Sequence, residues 1–301
     1  MLELFTDHYF RPGFTHSGGG KPCQDYALSS VYQGSAFAIV ADGCSSGGHT
    51  DVGARLVTFA TASALRSHRM SGRSLTDAAI YDEIARRQQE LVVSVRTTLD
   101  LGLCDLLSTC LWAYVSAEGG YAHVQGDGVV VFCFSDGAMT LSSFEWAGNV
   151  PFYPAYSGDF LESFRATHDA GASIPPLTEE RWSYSKSHGF QSLGRVSHSL
   201  EAGMRGITIP ISRKEVRDNL SYLAIFSDGI RQVDKVDWKA AVLDLVSFKS
   251  IAGEFAKRRM IRFSKDAERL GRGPLDDLSY SVIRFQREVK EDVSSGRKLE
   301  G

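Results

Sequence analysis

Apolar residues in this chain gather in short uninterrupted runs that stop at acidic turns. Ala36-Phe37-Ala38-Ile39-Val40-Ala41 runs into Asp42-Gly43, and Tyr222-Leu223-Ala224-Ile225-Phe226-Ser227 runs into Asp228-Gly229. Runs of this length bounded by turn residues predict strands buried on both faces. Tyr121-Ala122-His123-Val124, Val129-Val130-Val131-Phe132-Cys133-Phe134 and Tyr280-Ser281-Val282-Ile283-Arg284-Phe285 read the same way, and about half a dozen strand-like runs precede Phe144. Elsewhere the period lengthens. A helix starting near Asp51 would place Val52, Leu56, Phe59, Ala60 and Ser63 on one face, and a second would align Ile80, Ile84, Leu91, Val95 and Leu99. Both stripes predict core contacts. Further helix-like segments cover 238–248 and 250–263. Sheets and helices alternate without a regular βαβ repeat, which predicts an α+β fold of antiparallel sheets covered by helices. About 145–215 the pattern loses its period and turns aromatic and Gly/Pro-rich. The polar tail 288–301 predicts disorder.

Composition narrows the class. The 301 residues carry 33 Lys and Arg against 36 Asp and Glu, a near balance that gives no electrostatic reason to expect nucleic acid. Residues 1–287 are expected to form one domain, within the size range of α/β and sandwich folds. The longest apolar runs are about six residues against the roughly 20 needed to span a bilayer, and the N-terminus has neither a basic start nor an apolar stretch. Five cysteines without a Cys-x-x-Cys pair suit a reducing compartment, and a cytoplasmic location is expected. Gly47-Gly48 lacks the Gly-Lys-Ser/Thr ending of a phosphate-binding P-loop.

The acidic turns carry the chemistry. Asp42 and Asp228 end their strands, whereas Asp276-Asp277 precedes one, so strands of opposite direction could bring all three loops to one sheet edge. Carboxylates converging there repel, and a hard divalent cation with oxygen ligands would remove the repulsion. Glycine after Asp42 and Asp228 would permit positive φ or close approach of a backbone carbonyl or ligand. Taken singly, each Asp-Gly is an ordinary turn signal.

The set of motifs resembles the metal-dependent serine/threonine phosphatases of the protein phosphatase 2C family, in a bacterial branch. Thr15-His16-Ser17 with Gly20-Lys21-Pro22-Cys23-Gln24-Asp25-Tyr26-Ala27 resembles the opening motif, and Ala41-Asp42-Gly43 with Gly53-Ala54-Arg55 the second. Gly126-Asp127-Gly128, Phe226-Ser227-Asp228-Gly229-Ile230 and Asp276-Asp277-Leu278-Ser279 resemble the later ones, in order, over about residues 10–286. The resemblance implies a four-layer αββα sandwich, two antiparallel sheets flanked by helices, with 145–215 including a flap beside the site. It also implies two Mg²⁺ or Mn²⁺ ions held by Asp42, the Gly43 carbonyl, Asp228 and Asp276, with Asp25 acting through metal-bound water. The implied reaction is in-line attack of a metal-bridging hydroxide on phosphoserine or phosphothreonine in a protein, reversing a Ser/Thr kinase in signalling.

Three positions depart from the family pattern. Gln24 stands where many relatives have Glu, which lowers the local negative charge. Gly20 replaces a phosphate-holding arginine, so another cation is expected there, with Lys21 and His16 the nearest candidates and His16 also a candidate proton donor. Gln232 stands where some bacterial members have the Asp that pairs with Asp127 on a third ion, which argues against that ion and leaves Asp127 as a turn residue. Two other functions remain open: a weakly active regulatory or phosphoprotein-binding module on the same fold, and a phosphatase of small metabolites.

Overall fold

The computed structural model describes residues 2–72, 79–169 and 175–287. The tail expected to be disordered, 288–301, and Ile174 of the aromatic interval lie outside them. Among the described residues, twelve strands form two sheets in which every pairing is antiparallel. The five-stranded sheet runs β10 (Ile207–Ile211), β5 (Gly119–Gln125), β4 (Cys110–Ser116), β3 (Ser35–Ala41) and β2 (Tyr26–Tyr32). The seven-stranded sheet runs β1 (Leu2–Arg11), β12 (Leu278–Arg287), β11 (Leu220–Phe226), β6 (Gly128–Phe134), β7 (Met139–Trp146), β8 (Leu177–Ser185) and β9 (Gly189–His198).

The unbroken apolar runs are explained by burial on both sides. In β3, Ala36, Ala38 and Val40 pack with Leu111, Val124, Leu223 and Ile283 between the sheets. Their alternates Phe37, Ile39 and Ala41 face α2 (Thr50–Met70) and α3 (Ala79–Leu99) through Ala54, Val57, Leu65, Ile80 and Ile84. In β11, Leu223 and Ile225 face the other sheet, while Ala224 and Phe226 face α6 (Trp238–Leu245) and α7 (Phe255–Arg269) through Val242, Leu245, Met260 and Phe263. Helices, sheet, sheet and helices make four layers, the α+β sandwich the chain predicts.

The helix faces are as expected at Ala60, Ile80 and Ile84, which are buried, and shifted at other positions. In α2, Phe59 is half exposed, and Ala54, Val57, Thr61, Ala64 and Leu65 are buried. In α3 the buried stripe is Ile80, Ile84, Gln88 and Val92, while Leu99 points outward. Gln88 is buried because its amide donates to Thr61 Oγ1 across the α2–α3 seam (2.9 Å), so a polar residue takes a core position that hydrophobic periodicity assigns elsewhere. The interval 145–215 is largely ordered in regular elements. It holds α4 (Asp159–Asp169), the hairpin β8–β9 extending the larger sheet, α5 (Leu200–Arg205) and β10. No helix among the described residues is long and apolar enough to cross a membrane.

Candidate metal centre

At one edge of the sandwich, four acidic loops from both sheets surround a cavity of about 220 Å³ lined by Asp42, Gly43, Asp127, Asp228 and Asp276, among others. Asp42 leaves β3 and is clamped by the lead into β4: its amide donates to Thr109 Oγ1 (3.1 Å) and its carbonyl accepts from Thr109 N (2.8 Å). Asp228 leaves β11 into a 3₁₀ turn at Asp228–Arg231. Asp276 enters from the opposite direction just before β12. Asp127 occupies the crossing between the sheets, flanked by Gly126 and Gly128 at φ 114° and 139°. A Cβ on Gly126 would lie 2.6 Å from the Thr109 side chain, and one on Gly128 2.5 Å from the Phe226 carbonyl, so both glycines are required by space as well as conformation.

Of the two reasons expected for the glycines after the strand-end acids, close approach of a backbone carbonyl holds and positive φ does not. Neither Gly43 nor Gly229 has positive φ. A Cβ at Gly43 would stand 2.7 Å from the Thr50 carbonyl, and at Gly229 1.9 Å from the Asp277 carbonyl. Close packing of loop against loop demands them.

Behind the cavity Asp25 is buried, with Oδ2 accepting from the Ser227 hydroxyl (2.6 Å) and Oδ1 left without a partner. Burial pushes the Asp25 carboxyl up to about 7. Burial, then the charges of Asp25 and Asp228, holds Asp42 well above the usual carboxylate range. Asp127 is raised by burial and by Asp228, and Asp276 chiefly by burial. These carboxyls are therefore held in an environment that disfavours their charged forms unless positive charge is supplied.

Asp277, the neighbour of Asp276, turns away from the cavity. Its Oδ1 accepts from Gly13 N (2.9 Å) and its Oδ2 from Gln24 N (2.6 Å), with His16 Nδ1 2.8 Å from Oδ2. Gln24 in turn accepts at its carbonyl from Gly43 N (3.2 Å) and donates its amide to Thr50 Oγ1 (2.8 Å). A strut thus runs from Asp277 through Gln24 to Gly43. His16, Asp276 and Asp277 place potential donor atoms within 4.8 Å of one another, but the Asp277 oxygens are already occupied by backbone N–H groups. Asp277 therefore serves as an internal brace, while Asp276 faces the cavity.

Two of the sequence candidates are not brought to the cavity. His16 is buried in α1 (Phe14–Gly18) behind Asp276, and Lys21 is exposed beyond the Gly18-Gly19-Gly20 turn. No Lys or Arg is among the described residues lining the cavity, so the cation expected in place of the arginine is not found there. The lining instead includes neutral donors that the motif reading missed: Ser45, Ser46, Asn149 and Tyr153. Burial pushes the Tyr153 hydroxyl up, which keeps it protonated. Tyr153 lies in the aperiodic interval, where only its aromatic character drew notice. Gln232 donates its amide to Asp276 Oδ2 (3.1 Å) and, at longer range, to Asp228 Oδ2 (3.4 Å).

A family model described as protein phosphatase 2C matches residues 12–260. No curated protein sequence matches the chain. Among solved structures, the catalytic domain of the serine threonine protein phosphatase PstP in complex with 2 manganese ions is similar over 95% of this chain and 100% of that one, at 16% identity and a TM-score of 0.53. The serine/threonine phosphatase PstP/Ppp of Mycobacterium tuberculosis is similar over 95% and 100%, at 15% identity and 0.51. For the S. agalactiae serine/threonine phosphatase the shares are 94% and 99%, with 14% identity and 0.53. At such identities the likeness speaks for the fold.

Proposed function

Because the chain belongs to the protein phosphatase 2C family, we propose that it is a divalent-metal-dependent phosphatase that hydrolyses phosphoserine and phosphothreonine in proteins. The observation that carries this reading is the convergence of Asp42, Asp127, Asp228 and Asp276 on one cavity, with Asp25 behind it holding an unpartnered buried oxygen. An all-oxygen donor set of mutually repelling carboxyls fits Mg²⁺ or Mn²⁺, which prefer oxygen and retain water. Asp42, Asp228, Asp276 and the Gly43 carbonyl would hold two ions, and Asp25 Oδ1 would accept from water bound to them. Gln232, neutral and donating to Asp228 and Asp276, takes the place of a third acid and argues against a third ion.

Bound there, the ions would supply an activated water and neutralise developing charge on the phosphoryl group. The chain's own residues do the rest. Thr109 and the strut through Gln24 fix the backbone of Asp42 and Gly43 in place, so little reorganisation accompanies the reaction. Ser45, Ser46, Asn149 and the Tyr153 hydroxyl offer hydrogen bonds to phosphate oxygens in place of an arginine fork, a weaker and less charge-selective hold. His16 acts through Asp277, orienting the loop that carries Asp276.

Initial rates on a phosphothreonine peptide with Mn²⁺, Mg²⁺ or EDTA test the reading, with Mn²⁺ binding measured in parallel by calorimetry. Metal-dependent turnover lost in Asp42→Asn and Asp228→Asn is expected. Metal binding without turnover in the native protein would overturn the enzyme assignment, and a clear preference for sugar phosphates would overturn the protein substrate.

A further inference from the structure

A second strongly charged surface lies away from the carboxylates. Along the outer side of α7, a groove of about 530 Å³ is lined by Lys249, Arg258, Arg259, Arg262, Lys265 and Arg269, with Asp266 the only acid among its lining residues. This concentration stands out on a chain whose formal net charge is −3. Arg259 is paired with Asp244, and Asp266 is shared by Arg262 and Arg269 (3.9 and 3.2 Å). Two acids therefore face six cations, and among the described residues Lys249, Arg258 and Lys265 have no acidic partner in the groove. Folding alone gains little from such a cluster, since like charges repel and exposed pairs are worth little.

The groove has direction and a floor. From Arg258 to Arg269 it follows eleven residues of helix, about 16 Å, the span of roughly five extended residues. Phe248 and Phe255 close one end, their rings 4.9 Å apart and nearly perpendicular. The other end is the last turn of α7, seven residues before Asp276. That connection is tied to the Asp228 loop by the Val233–Pro274 bridge and by Leu275 N donating to the Gln232 carbonyl (2.9 Å). The groove thus leads from an apolar end toward the carboxylate edge.

We infer that this groove docks an acidic segment of the phosphoprotein substrate, with carboxylates along the α7 cations and an apolar side chain at Phe248. The inference rests on the phosphatase reading for its occupant, because a protein chain then lies at the carboxylate edge during turnover. Complementary charge raises encounter rate and selects acidic substrates without contributing to the chemical step.

The test uses two peptides with one phosphothreonine core, one extended by Glu residues and a Leu, the other by Ser and Asn. Each is assayed with the native protein and with Lys249→Glu/Arg262→Glu/Lys265→Glu, and p-nitrophenyl phosphate reports the bare reaction. The expected result is a preference of about tenfold in kcat/KM for the acidic peptide, carried by KM, which vanishes in the triple variant and in high salt. Turnover of p-nitrophenyl phosphate should be unchanged by the triple substitution. Equal kcat/KM for the two peptides with the native protein, or a preference that survives the triple variant, overturns the proposal. Fluorescence anisotropy of the labelled acidic peptide is measured without metal, so docking is read even if no substrate is hydrolysed. A short single-stranded oligonucleotide that binds this groove more tightly than the acidic peptide would also overturn it.

Discussion

At the level of single residues, the site is a set of charges placed where they are individually unfavourable. Asp42 shows the consequence most directly. Its carboxyl is raised by burial and by Asp25 and Asp228, so at neutral pH the folded protein without metal pays for holding it. Asp42→Asn should abolish metal-dependent turnover, by at least about a hundredfold on the scale of lost electrostatic preorganisation. In EDTA at pH 7.5 it should also raise the melting temperature by about 2–5 °C, from roughly 1–2 kcal/mol of relieved repulsion. Calorimetric melting beside the rate assay checks both, and a variant that loses activity while melting lower would contradict this account. Tyr153 makes a second case. As a neutral donor on the cavity wall it is expected to contribute about 1–1.5 kcal/mol, so Tyr153→Phe should lower kcat/KM about tenfold, mostly through KM, without affecting Mn²⁺ affinity. The acids could be read from the sequence because each follows or precedes an apolar run. Tyr153 and Asn149 could not, because they reach the site through loop paths that no periodicity encodes.

Among elements, what matters is how loops from different strands are held at one edge. The central strands β3, β6 and β11 could be read from continuous apolar runs because both their faces are covered, whereas β1, β8 and the largely exposed β9 carry no such run. Helix faces were less legible: Gln88 and Thr61 satisfy each other in the α2–α3 seam, and small residues such as Ala54 and Ala64 carry much of the contact, so the hydrophobic stripe points off by part of a turn. The brace at Asp277 was hidden for a related reason: the resemblance singles out Asp276 as the ligand and says nothing of what its neighbour holds. Asp277→Ala would remove the acceptor for Gly13 N and Gln24 N together and free the His16 ring inside the protein. A loss of about 3–5 kcal/mol is expected, the scale for breaking a buried charged network, and urea unfolding with the native protein as reference measures it. Gly229→Ala tests packing without charge. Its Cβ meets the Asp277 carbonyl at 1.9 Å, so the Asp228 turn must move away from β12. Weakened Mn²⁺ binding should accompany a stability loss of about 1–3 kcal/mol.

Over the whole molecule, the buried acids make stability depend on pH in a direction that metal should reverse. A carboxyl whose pKa rises on folding favours the folded state fully only below its unfolded value, about 4 for Asp. As pH climbs past that value the unfolded chain releases protons that the folded chain retains, and stability is lost until the folded pKa is passed, about 7 for Asp25. Asp42, Asp127 and Asp276 are raised too and add to the same slope. His123 works oppositely. Burial lowers its pKa to about 4, so its contribution is complete above the unfolded value near 6.5 and is lost as pH falls toward 4. In EDTA the melting temperature should therefore fall between pH 5 and 8, even though His123 gains over the lower part of that range. Mn²⁺ competes with protons for the same oxygens and binds better as they ionise, so the stabilisation it gives should grow with pH. Melting curves at half-unit pH intervals, with and without saturating Mn²⁺, should diverge progressively above about pH 5. Parallel curves would mean that metal does not engage the raised carboxyls, and the site would then have to be sought among groups that do not titrate in this range.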